Sequence, residues 1–173
     1  MSAAFKIGDT VMYSTNGICT VSDIQKMTFP METKERTYYV LRPASNRNAT
    51  LFVPDDNAEL VGKMRYILPK DEIDDIISGA VGETIDWIDE RNARNNAFST
   101  ILKNGDPREL LLLLRCILKR KSQLAEVNRR LSNADETTLM SAEKLVCEEF
   151  AFSLGISRDE IVDYLKAKMG ENE

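Results

Sequence analysis

Two periods of apolar residues divide this chain. Up to about residue 68 the apolar positions come in short runs: VMYS (11–14), GICTVSDI (17–24), RTYYVLR (36–42) and ATLFV (49–53). Such runs, rich in β-branched and aromatic side chains, predict strands. Thr15-Asn16-Gly17, Phe29-Pro30-Met31 and Pro43-Ala44-Ser45-Asn46 supply the turns between them, and Pro54-Asp55-Asp56-Asn57 begins a further short turn. Several strands in so short a span, with no helical period among them, predict a small, strongly bent β-barrel of the SH3/Tudor-like type.

From Pro69 onward the period becomes helical. Residues 70–78 (KDEIDDIIS) predict a short helix ended by Gly79, followed by a flexible join. Thr84 is a candidate N-cap for a helix running to Asn104 and stopped by Gly105. Asp106-Pro107-Arg108-Glu109 is a strong helix start, with Asp at the cap, Pro at the first position and Glu at the third. The LLLLLRCILKRKSQL stretch that follows is apolar all round in its first half, so that helix is expected to be central and buried. Ser132 with Asp135 opens a helix to about Leu154, closed by Gly155, and Ser157 with Glu160 opens a last one through EIVDYLKAKM. The expected class is a multi-domain α and β protein: a β module over 1–68, a short helix and join over 69–83, and an all-α helical bundle over 84–173.

Composition narrows the function classes. Apolar residues make up 43% and charged residues 29% of the chain, the balance of a soluble globular protein. No apolar run approaches the roughly 18 residues a membrane span needs. The opening MSAAFKIGDT lacks the pattern of a secretory signal, so a cytoplasmic location is expected. Cys19, Cys116 and Cys147 have apolar neighbours and read as buried thiols rather than a disulfide or metal site. The chain has no histidine, which removes the commonest neutral-pH proton shuttle and metal ligand. The eight glycines stand singly, with no phosphate-cradling loop, and 71-DEIDD-75 lacks the spacing and glycine of a calcium loop. No nucleophile–base arrangement stands out. We therefore expect no enzyme activity, cofactor or small-molecule substrate, and a monomer.

Charge changes the picture further. The net charge is −5, yet residues 91–130 carry ten basic groups against three acidic ones, Asp106, Glu109 and Glu126. Residues 132–173 reverse that balance, with four basic and ten acidic. Two readings of the basic island stay open: a footprint for phosphates, or a helical face that pairs with the acidic tail. Lys119, Arg120 and Lys121 cluster within it, and they also suit the end of a helix whose dipole they complement.

Trp87 is the sole tryptophan, and it lies among charges in 84-TIDWIDERNAR-94. At 100° per residue, Trp87, Arg91, Arg94, Phe98 and Ile101 share one stripe of the expected helix. Two guanidinium groups are costly to bury without partners, which argues that this end of the stripe reaches solvent or a partner. An exposed aromatic flanked by arginines suits stacking on or wedging between bases. The alternative has Trp87 packed back onto the β module or the 70–78 helix, with the arginines bridged to 71-DEIDD-75.

The opening FKIGDTVMYSTNGICTVSDI resembles the start of the CarD/CdnL family of bacterial transcription regulators: Lys6-Ile7-Gly8-Asp9, then Tyr13, then a turn at Gly17. YYVLRP, LFVP, Asn57-Ala58-Glu59 and Val61-Gly62 fit the same template, as do Trp87, Lys103-Asn104-Gly105-Asp106, Arg130-Leu131-Ser132 and the Ala-Glu-Lys at 142–144. The resemblance implies a Tudor-like N-terminal domain that binds the RNA polymerase β subunit. It also implies a helical domain whose tryptophan, here Trp87, wedges into promoter DNA at the upstream edge of the melted bubble. Asp89 and Glu90 stand where the family usually has basic residues, and cations arrive only at Arg91 and Arg94. The family's polymerase-contacting arginines fall on Met27 and Phe52, with Lys26 and Arg47 close by, so a more apolar polymerase contact is expected.

Overall fold

The computed structural model describes residues 4–169. The chain folds as two units, 1–67 and 68–173.

The first unit is one antiparallel sheet. Its strands are β1 (Thr10–Tyr13), β2 (Ile18–Met27), β3 (Arg36–Pro43), β4 (Leu51–Pro54) and β5 (Met64–Tyr66), with one short helix, α1 (Ala58–Val61), before β5. All four runs expected as strands form strands, whereas α1 and β5 fall where only a turn was expected. MRY is too short to show an alternation. Strand order is β4-β3-β2-β1-β5, so β4 and β5 are edges and the sheet does not close into the expected barrel. Gly17 makes the β1–β2 connection possible, since φ 76° with ψ −143° is a region open to glycine and little else. A register shift between Val21 and Asp23 bends the long β2–β3 ribbon. Alternate residues then point to one side, where Phe5, Val11, Cys19, Val21, Tyr39, Leu41, Val53 and Met64 form the core.

The second unit is all helical: α2 (Lys70–Ala80), α3 (Arg91–Asn104), α4 (Pro107–Glu126), α5 (Asn133–Leu154) and α6 (Arg158–Met169). The helix starts read from Asp106 and Ser132 hold: Asp106 accepts from the Glu109 N–H and Ser132 from the Asp135 N–H. Gly105 and Gly155 end α3 and α5 in the left-handed conformation, each with φ 68°. Ser157 and Glu160 exchange the two bonds of a capping box at the start of α6. α4 is buried through Leu110–Leu114, Cys116 and Ile117, the central helix that its apolar run predicted. Gly79 does not stop α2, which runs on to Ala80 with Val81 as its cap. The three cysteines are buried thiols outside any disulfide among the described residues, and burial pushes the Cys147 thiol up to about 11. Among the described residues, no helix is long and apolar enough to cross a membrane, and no cluster of potential ligands could hold a metal ion.

The largest departure from the sequence expectation lies at residues 81–90. The helix expected with Thr84 as its cap starts six residues later, capped by Glu90 and beginning at Arg91. Thr84, Ile85 and Ile88 are β-branched and favour extended backbone, and Gly82, at φ 80°, turns the chain out of α2. Glu90 takes the cap position, its carboxylate accepting from Asn92 N at 3.0 Å and Ala93 N at 2.5 Å.

Candidate functional site

Trp87 sits on this non-helical segment, and the segment is pinned at both ends. At its start, Arg115 Nη1 of α4 donates to the carbonyls of Ala80 and Glu83, each at 2.9 Å, and Arg108 of α4 bridges to the Glu83 carboxylate. At its end, Arg94 Nη1 of α3 donates to the carbonyls of Ile88 at 2.9 Å and Asp89 at 3.1 Å. These donors satisfy carbonyls that a helix would have bonded internally.

Arg94 is itself only 7% exposed and Asp135 only 3%. Arg94 Nε and Nη2 meet Asp135 Oδ1 and Oδ2 at 2.9 and 3.1 Å, a two-pronged pair between α3 and α5. Ser132 Oγ donates to Asp135 Oδ2 at 2.6 Å. Burial alone would raise the Asp135 pKa. The hydrogen bonds from Arg94 and Ser132, with the charges of Arg94 and Arg91, outweigh it and hold the carboxyl below the ordinary aspartate value.

The indole is half-buried, neither sealed in the core nor fully presented. Its ring meets Phe98 edge-on at 5.9 Å. Two guanidinium groups lie over it, Arg94 at 4.6 Å and Arg120 at 5.4 Å from the centroid, within cation–π range. Arg120 Nε is buried with no hydrogen-bond partner among the described residues. Trp87 therefore keeps the neighbours its helical stripe predicted, Arg94 and Phe98, although it precedes the helix.

This geometry corrects one assignment. Arg94 does not point outward with Trp87 as a cation for phosphate: all three guanidinium nitrogens are bonded within the unit. Arg91 and Lys119 are exposed, and Lys121 makes an exposed bridge to Glu136 of α5, at 3.3 Å. The basic island is thus mixed. Arg94, Arg108, Arg115 and Lys121 have internal partners, two of them in the acidic segment after residue 131. The alternative ion partners for the arginines, 71-DEIDD-75, are not used by Arg94. Glu90 is engaged at the α3 N-terminus, and the Ala93 and Asn92 N–H groups lower its pKa.

Asp135 was legible only as a capping residue, because first-turn carboxylates usually face solvent. No sequence signal revealed that this one is buried beneath an arginine. Arg115 was visible only as part of the basic island.

In the first unit, Phe52 lies on the edge strand β4, 40% exposed. Phe52 pairs with Val40, and Met27 with Arg36. By strand alternation Met27, Tyr38 and Phe52 occupy the sheet face opposite the core. Phe29 packs there against Tyr38 at 5.2 Å and Phe52 at 5.4 Å. Lys26, paired with Thr37, alternates to the other face. Arg47 follows β3 and lines a shallow depression with Thr20, Ser22 and Arg42. Of the four residues expected at a polymerase contact, two share a face and two do not. Phe29 extends that face, and its place beside a proline in a turn concealed it.

Residues 5–77 match the family model of the CarD-like/TRCF RID domain. The N-terminal part of the chain is therefore similar to a CarD-like, RNA polymerase-interacting domain, a likeness that supports a transcription-related role in binding the polymerase.

Proposed function

We propose that this chain is a non-enzymatic regulator of bacterial transcription. It binds the β subunit of RNA polymerase through its N-terminal unit and stabilises the promoter open complex through Trp87, with little sequence preference. The polymerase contact uses the outer face of the sheet around Phe52, Phe29 and Met27, together with the free edge of β4, to which a partner strand can add. Lys26 and Arg47 lie outside that apolar face and serve at most its rim.

The observation that carries the DNA reading is the half-buried indole on a pinned segment, with guanidinium groups over it. A flat ring gains most beside bases that are already unstacked, so it favours the open state over the closed one. Arg91, Lys119, Arg120 and Lys121 supply the phosphate contacts, and Arg94 supports the ring. The protein acts in the cytoplasm as a monomer, without a cofactor or small-molecule substrate. Trp87→Ala is expected to shorten open-complex lifetime about tenfold, a differential of ~1.4 kcal/mol, while polymerase binding stays intact. An unchanged lifetime would remove the wedge.

A second reading has support of its own: an adaptor that binds polymerase or another protein without touching DNA. The internal partners of Arg94, Arg108, Arg115 and Lys121 leave less positive charge free than the sequence suggested. Crosslinking of the Trp87 surface to promoter DNA in the polymerase complex separates the two, since an adaptor would give none.

A further inference from the structure

We propose that Arg94 and Asp135 are positioning residues that hold Trp87 in its presented orientation, an inference that rests on Trp87 being the DNA-contacting group. The segment carrying the ring has neither helix nor ladder to fix it. Its own backbone is held on the ring's C-terminal side by one guanidinium, through the carbonyls of Ile88 and Asp89. The same guanidinium lies 4.6 Å from the ring centroid. One side chain thus fixes both the backbone beside the tryptophan and the surface on which the ring rests.

Arg94 can do this only because its own position is fixed. Both Asp135 oxygens take a prong of its fork, and Ser132 fixes the carboxylate in turn. Serine at the cap of α5 places Asp135 in the first turn, facing Arg94 of α3. The chain of constraint runs from the α5 cap to the carboxylate, to the guanidinium, to the ring. A buried ion pair is a poor device for stability alone, since apolar residues of similar volume often serve as well. It is a good device for orientation, because a planar fork has few acceptable geometries. Lysine keeps the charge but has no such fork.

The test uses the full chain, excited at the red edge where its five tyrosines do not absorb, so that Trp87, the sole tryptophan, alone emits. Arg94→Lys, Asp135→Asn and Ser132→Ala are compared with the wild type by emission maximum and iodide quenching, with circular dichroism and melting as controls of folding. A residue that merely stabilised the bundle would leave the emission of the folded protein unchanged. We expect Arg94→Lys and Asp135→Asn to red-shift the emission and raise quenching, with open-complex lifetime reduced about fivefold. If these two lose cooperative melting, Ser132→Ala decides, with a smaller red shift expected. Folded variants with wild-type emission would overturn the proposal. A shifted emission with an unchanged lifetime would uphold the clasp and remove the wedge instead.

Discussion

Each unit presents an aromatic surface, and the two are built on opposite principles. Around Phe52 the supports are other aromatic rings, Phe29 and Tyr38, meeting at steep angles on a hydrogen-bonded sheet. Around Trp87 two cations, Arg94 and Arg120, lie over a ring that meets only one other aromatic, Phe98, among the described residues, and the backbone beneath has no regular structure. The first surface takes its rigidity from the strand ladder and suits a partner recognised by apolar burial. The second takes its rigidity from ionic fork geometry and presents charge along with its ring.

The contrast breaks most visibly at Asp135. Its replacement by asparagine leaves the Arg94 charge buried and half-partnered, and we expect the helical unit to lose about 3 kcal/mol, read by chemical denaturation. The same variant should bind the polymerase β subunit as well as wild type does. Conversely, Phe52→Ala should weaken polymerase binding about tenfold, ~1.4 kcal/mol, in a pull-down or titration, with denaturation nearly unchanged because the ring is 40% exposed.

Acid should separate the surfaces again. The Asp135 pKa is lower in the folded chain than the ordinary value of 3.8. Its contribution is therefore complete above 3.8 and is lost as pH falls through the lower, folded-state value. Arg94 and Arg91 of α3 and Ser132 at the α5 cap face this carboxyl, and Asp135 is its titrating member over that window. Trp87 emission should stay constant from neutral pH down to that range and shift only below it. The smallest effect is at Lys121, whose exposed bridge to Glu136 should change stability by no more than about 0.5 kcal/mol on Lys121→Ala.

Much of the fold was legible, for reasons that can be named. Strands β1–β4 announced themselves through β-branched and aromatic runs between turn residues, and the end of α3, the start of α4 and both ends of α5 through Gly105, Asp106, Ser132 and Gly155, whose capping chemistry is local. What failed was non-local. Thr84 is as good a cap as any by type, but the non-helical segment 83–90 is held by Arg94, Arg108 and Arg115 reaching in from α3 and α4. Barrel closure failed similarly, since strand composition does not say whether β4 and β5 meet. At the candidate site Trp87 was singled out by its incongruous surroundings. Arg94 was misread because its partner lies 41 residues away, beyond the reach of any helical wheel.

The most direct test of Trp87 as a group that meets unstacked bases uses a fluorescent adenine analogue at the upstream edge of the bubble in a polymerase–promoter complex. We expect its emission to fall when the wild-type chain is added, through stacking on the indole, and to stay unchanged with Trp87→Ala. Equal emission with the two proteins would contradict the role assigned to that ring.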